Sequence, residues 1–295
     1  MLAPMGTSTD LLDAAGTELD AAVDLRRRLH RRPELGLDLP ETQATVLEEL
    51  DGLGIELRTG TGVSSVVGIL EGDASGPTVL LRADMDALPM PEDTDLDYAS
   101  VIDGAMHACG HDAHTAMLVG AARLLVERRA QLHGRVVLAF QPGEEGHHGA
   151  RSMIEEGLLE GDTRPDSAFA IHITPIIPSG MVATRRGPLM ASADAVRITI
   201  TGRGGHASMP HQALDPIPVA CEVVQAIQTM VTRQVDAFDP AVLTSAKIEA
   251  GTTNNVISES AHLTGTLRAV SARTRQLVLD SLRRLAEGIA AAHWA

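Results

Sequence analysis

The sequence predicts an α/β protein: a mixed, largely parallel β-sheet sandwiched by helices, followed by a smaller α+β unit of ferredoxin-like order. Three observations carry that prediction. Short β-type runs alternate with helical periodicity as far as His172, the pattern of a sheet covered on both faces. Pro175, Pro178, Gly180, Gly187 and Pro188 then interrupt the texture. From Asp194 a β-α-β-β-α order begins, one strand short of the full β-α-β-β-α-β unit. The domains are accordingly read as 1–190 and 191–295.

Residues 1–8 read as a loose tail. Leu11, Leu12, Ala15, Leu19, Ala22, Val23 and Leu29 then recur at helical spacing, and Arg31-Arg32-Pro33-Glu34 ends the helix. A second helix spans about 41–50 and is stopped by Gly52 and Gly54. Strands at 65–70 and 77–82 flank a turn at 73–76. A helix over about 113–129, a strand over 135–140, a short helix near 150–156 and a strand over 167–171 follow. The stretch after His172 has room for one short strand. The second domain reads as strand 195–201, helix 215–235, strands 241–248 and 261–269, and a helix over about 272–292.

A hydrophobic fraction of 44% supports a real core, and three Phe, one Tyr and one Trp leave it to Leu, Val, Ile, Ala and Met. A net charge of -15 argues against nucleic acid or an acidic membrane surface as partner. The Arg-rich stretches 26–32 and 283–284 read as solvated faces. The two cysteines, Cys109 and Cys221, make no disulfide framework. Cys221 lies in an apolar helical pattern, where a buried inert thiol is expected. No apolar run reaches the roughly 18 residues of a membrane span, and the first ten residues lack a signal-peptide layout. The expected location is cytoplasmic.

Chemistry concentrates in Met106-His-Ala-Cys-Gly-His-Asp-Ala-His114, with three histidines, a thiol and a carboxylate. Imidazole and thiolate are the usual ligands of zinc-like ions, and carboxylates complete such shells. Cys109 and His111 are too close in sequence to share a helix face, so they suit a loop that bends around an ion and enters a helix. Asp84 and Asp86, Glu144 and Glu145, and His172 each follow the C-terminal end of a different predicted strand. Ligands of open α/β sheets bind at that edge. Adjacent Glu144-Glu145 on a tight turn offers one carboxylate as ligand and one as general base. Asp86 reads as a partner that fixes a ligand imidazole, whereas Asp84 has the option of being merely solvated. His107 and His114 are divided between ligation and orienting roles. His147 and His148 read as bystanders.

In the second domain, Gly202-Arg-Gly-Gly-His206 lacks the register of a phosphate or dinucleotide loop. It reads as mobile backbone that presents His206 to a polar substrate atom. Asn255, in a Gly/Thr/Asn loop, and Arg268, at a strand end, are candidates for holding a carboxylate.

Taken in order, six motifs resemble the dinuclear metallo-amidohydrolases related to aminoacylase and the metallo-carboxypeptidases, in the branch of hippurate hydrolase and the auxin-conjugate hydrolases. They are Arg82-Ala-Asp-Met-Asp-Ala-Leu-Pro89, the 106–114 cluster, Phe140-Gln-Pro-Gly-Glu-Glu145, Gly204-Gly-His-Ala-Ser208, Asn255-Val-Ile257 and Gly265-Thr-Leu-Arg268. The resemblance implies hydrolysis of the amide bond of N-acyl amino acids or related conjugates. It implies Cys109, His111, Glu145 and His172 as metal ligands, Glu144 as general base and His206 as an oxyanion donor reaching a partner subunit. Asn255 and Arg268 would bind substrate, and Asp86 would support the ligands. It further implies two divalent ions per subunit (zinc, manganese or cobalt) and a homodimer formed through an inserted lid domain. Relatives of this group continue beyond residue 295, finishing the lid and returning to the catalytic domain with another metal-binding histidine. Against that pattern both domains read as incomplete, and His293 is no substitute. Two rival readings stay open on the residues: a truncated, non-catalytic metal-binding remnant, and an amidase with Cys109 as nucleophile.

Overall fold

The computed structural model describes residues 8–294, so the expected tail lies, Ser8 apart, outside the described residues. These divide into two compact units, one ending at Pro178 and the other beginning at Ser179. The division falls inside the Pro/Gly-punctuated stretch, ahead of the boundary expected after residue 190.

The first unit contains α1 (Ser8–Arg31), α2 (Pro40–Leu50), β1 (Glu56–Thr59), β2 (Val66–Glu71), β3 (Ala74–Asp84), α3 (His111–Glu127), β4 (His133–Gln141), α4 (Gly149–Glu155) and β5 (Ser167–Ala170). Its sheet has the order β1-β2-β4-β3-β5. β1, β2 and β4 pair antiparallel, while β3 runs parallel to both β4 and β5. The sheet is therefore mixed, and parallel in the half that matters for the site. There Asp84 is level with Gln141, and Arg82 with Ala170. Three strand ends thus share one rim.

Helices cover both faces of this sheet. Leu25, Leu29, Val46, Leu50, Val119 and Ala122 of α1–α3 pack in one cluster with Val66, Ala83, Leu138 and Phe140. Leu80, Val137 and Ala139 meet Met153 of α4 in another. Buried on both sides, β4 is hydrophobic at consecutive rather than alternate positions. Each fully buried Leu or Phe contributes about 1.5–3 kcal/mol, so β4 is the least removable strand of the unit.

Several expectations shift. β1 was not anticipated, because its residues Glu56-Leu57-Arg58-Thr59 are mostly exposed and lack an apolar signature. β3 begins at Ala74, inside the expected turn. Among the described residues, 171–193 contain no strand. In α1 the stripe is buried only at its C-terminal end: Leu25 and Leu29 are covered, while Leu11, Leu12, Leu19 and Val23 are exposed.

The second unit contains β6 (Asp194–Thr201), β7 (Gly205–His206), α5 (Pro216–Gln234), β8 (Ala241–Ala250), β9 (Val256–Ile257), β10 (Ser260–Ala269) and α6 (Ala272–Ala292). β6-β10-β8 form an antiparallel sheet, and Ile200, Leu243, Leu263 and Leu267 pack on Val223, Ile227, Val278 and Leu282 of the two helices. Asp215 caps α5 through the Ile217 N–H and Ser271 caps α6 through the Thr274 N–H, each worth about 1 kcal/mol. Cys221 is exposed, against the expectation of a buried thiol. The buried stripe of α5 runs through Val219, Ala220, Val223, Ile227 and Met230, and Cys221 falls off it. The glycine loop is held at several points: Gly205–His206 pairs with Val256–Ile257, and Arg203 bridges Leu214. Among the described residues no helix is long and apolar enough to cross a membrane.

Candidate metal centre

Two backbone devices aim side chains at the rim of the first unit. Past the end of β3, the Asp86 carboxylate accepts the backbone N–H of Glu144 at 2.9 Å and of Glu145 at 3.0 Å. That carboxylate fixes the Glu pair on its turn just after β4. Gly110 precedes α3 with φ +87°, and a Cβ there would lie 2.3 Å from Ile173 Cδ1. Only glycine fits both demands. It releases Cys109 from the helix and makes His111 the first helical residue.

The imidazoles can be told apart by what their nitrogens meet. A carbonyl oxygen only accepts, so His111 Nδ1, 2.8 Å from Asp86 O, is the protonated nitrogen. Its Nε2 is buried with no hydrogen-bond partner, 3.5 Å from Asp84 Oδ2. His172 Nδ1 likewise donates to Ile173 O at 2.6 Å, and its Nε2 lies 3.4 Å from Cys109 Sγ. Donor atoms of Cys109, His111 and His172 lie within 4.8 Å of one another, as do those of His111, Glu144 and Glu145. A buried ring nitrogen without a hydrogen bond is costly, and this one sits among a thiol, a second imidazole and carboxylates. That donor set fits divalent ions of the zinc class.

Electrostatics separate the roles further. Burial and the nearby Glu145, Asp84 and Glu144 carboxylates push the Cys109 thiol up to about 12. A nucleophilic cysteine needs the opposite, an electropositive setting, so the Cys-nucleophile reading loses its support. Desolvation of its carboxyl and the charge of adjacent Glu145 raise Glu144, although much of its side chain is open to solvent. A raised carboxylate is the stronger base. Burial would raise Asp86, but the His111 interaction and the two backbone N–H groups outweigh it and hold it low.

Asp84 corrects the solvated option: it is 1% exposed. Its oxygens meet His114 Nδ1 at 2.6 Å and Arg82 at 2.7 Å. Burial alone would raise this carboxyl; the His114 hydrogen bond and the charges of His111 and Arg82 bring it down to about 2. His107 is buried, and desolvation lowers it to about 4. His147 and His148 are exposed and join none of these clusters. Sequence reasoning also missed a buried link behind the site. Asp112 Oδ2 is 2.7 Å from both Arg26 Nε and His30 Nδ1, tying α1 to the start of α3. Arg26 is therefore not part of a solvated face; the i,i+4 pair Arg26/His30 facing an acidic helix start was the available signal.

In the second unit, pairing of His206 with Val256 and the bond from Ala207 N–H to Asn255 O (3.0 Å) bring the His206 and Asn255 segments side by side. Ser208 N–H donates to His206 Nδ1 at 3.1 Å, which leaves the ring proton on Nε2. His206, Asn255 and Arg268 are all exposed.

A family model described as "Peptidase family M20/M25/M40" matches residues 80–291. The chain is 42% identical over 279 residues to an N-acetylcysteine deacetylase of Bacillus subtilis, covering 92% of this chain and 71% of that protein. It is 44% identical over 255 residues to IAA-amino acid hydrolase ILR1-like 4 of Arabidopsis thaliana, covering 86% of this chain and 57% of that protein. Among solved structures, the YXEP protein of Bacillus subtilis, described as a dinuclear metal binding peptidase, matches with TM-score 0.78 and 38% identity. That match covers 93% of this chain and 70% of the other.

Proposed function

We propose that this chain, which belongs to the peptidase family M20/M25/M40, hydrolyses the amide bond of N-acyl amino acids or related conjugates. The observation that carries the reading is His111 Nε2, a buried ring nitrogen without a hydrogen bond, beside the Cys109/His172 pair and the Glu pair. The names of two relatives point the same way, since each couples an acyl group to an amino acid.

In this reading Cys109, His111, Glu145 and His172 hold two divalent ions: zinc, manganese or cobalt. Bound there, such ions lower the pKa of water and polarise a carbonyl. Glu144 takes the proton of the attacking water and passes it to the amine nitrogen that leaves. Asp86 keeps Glu144 and Glu145 on their turn by accepting both N–H groups, so the base does not drift during transfer. His206, protonated on Nε2, donates to the developing oxyanion; we assign it to a second copy in a homodimer. Arg268 and Asn255 hold the substrate carboxylate.

The test is metal content and hydrolysis of a panel of N-acyl amino acids by the purified chain, repeated on Glu144→Ala and after chelation. We expect bound divalent metal and turnover that both treatments abolish, with activity returning when metal is restored. Turnover that survives chelation, or metal uptake with no turnover on any acyl amino acid, overturns the reading.

A further inference from the structure

His114 spends one ring nitrogen on a buried carboxylate and the other on a backbone N–H. The Ile173 backbone N–H can only donate, and it lies 2.9 Å from His114 Nε2. Nε2 therefore carries the lone pair and Nδ1 the proton, which points to Asp84 Oδ1 at 2.6 Å. The same ring packs edge-on against His172, with centroids 4.7 Å apart. Although His114, Asp84 and His111 are close enough together to suggest an ion site, His114 has no lone pair left for one.

What it holds is a backbone that nothing regular supports. β5 ends at Ala170, and His172 and Ile173 are exposed residues beyond the sheet. Ile173 is held through both of its backbone polar groups: its N–H donates to His114, and its carbonyl oxygen accepts the His172 ring proton. The Ile173 side chain rests on the bare Cα of Gly110, where a Cβ would overlap it. Two contacts from the start of α3 thus clamp the residue next to His172, whose Nε2 then faces Cys109 Sγ.

We propose that His114, oriented by Asp84, is a positioning residue that clamps the Ile173 amide and so sets His172 for metal binding. The proposal rests on His172 being a ligand, as in the function above. Partners of this kind are typically worth 10–100-fold in metal affinity.

Two substitutions divide the ring's functions. In His114→Gln the side-chain amide reaches the Nε2 position and can accept from Ile173 N–H. In His114→Asn it reaches only the Nδ1 position and keeps Asp84 alone. The readouts are hydrogen exchange of the Ile173 amide in the metal-free chain, zinc affinity by chelator competition, and the cobalt(II) absorption spectrum. We expect His114→Asn to expose the Ile173 amide to exchange, weaken zinc about 10–100-fold and alter the cobalt spectrum, while His114→Gln stays near wild type. Equal zinc affinity in wild type and His114→Asn, with both folded by circular dichroism, overturns the proposal. So does an equal loss in both variants, which would show that ring shape matters and not the amide clamp. A wild-type chain that takes up neither zinc nor cobalt overturns the metal reading itself along with this one, a result distinct from the first two.

Discussion

The rim of the first unit and the His206 loop of the second solve opposite problems. At the rim, His111 and the Asp84–His114 pair are buried, and a hydrogen bond fixes each ring's tautomer. In the second unit His206, Asn255 and Arg268 are exposed, and His206 has its tautomer set by its own neighbour Ser208. Ion ligands must be held against mutual repulsion before anything binds, which takes a dense, oriented shell. Groups that meet a substrate must stay accessible. The difference is that the rim groups are oriented by partners from distant segments, whereas His206 is tethered by its own neighbour.

The largest effect expected is on proton transfer. Glu144→Gln should lower kcat about 10³-fold while zinc affinity, measured by chelator competition, stays near wild type. Next, His206→Ala should cost about 10²-fold in kcat with metal content untouched. If this variant lost metal, the contrast between the two regions would collapse. Mixing it with Glu144→Ala sharpens the point, because activity regained by the mixture requires His206 to act across copies. Asp86→Ala should weaken zinc by about 10-fold or more, since it frees both Glu144 and Glu145 N–H groups.

The smallest effect is on stability. Asp84 titrates at about 2 when folded, against an ordinary 3.8. A depressed carboxyl stabilises above its unfolded value and loses that contribution as pH falls through the folded one. The difference is about 2 kcal/mol, present at neutral pH and lost from about pH 4 downwards. Urea melts of the metal-free chain across that range should show the fall, and Asp84→Asn should flatten it. An unchanged slope in that variant would remove Asp84 from the list of buried, oriented groups.

Much of this was legible before any coordinates. Alternating strand and helix periodicity determined the sheet covered on both faces, because apolar spacing is a local property. The strand-end positions of Asp84, Asp86, Glu144, Glu145 and His172 marked the rim, since parallel strands place their C-terminal ends together. Local pattern missed β1, whose residues are polar and gain their pairing only from β2. It also put Cys221 inside, because composition names an apolar helix but not which stripe of it packs.

Tertiary structure alone decided which partner each imidazole nitrogen meets. His107, His111 and His114 belong to one motif, and its spacing alone does not say what each ring nitrogen meets. In the fold His111 Nε2 is left without a hydrogen bond, His114 spends both nitrogens on Asp84 and Ile173, and His107 is buried with neither nitrogen hydrogen-bonded. A histidine's role depends on which proton sits on which nitrogen. That is fixed by partners from distant segments, Asp86 and Ile173 among them, whose approach no local spacing records.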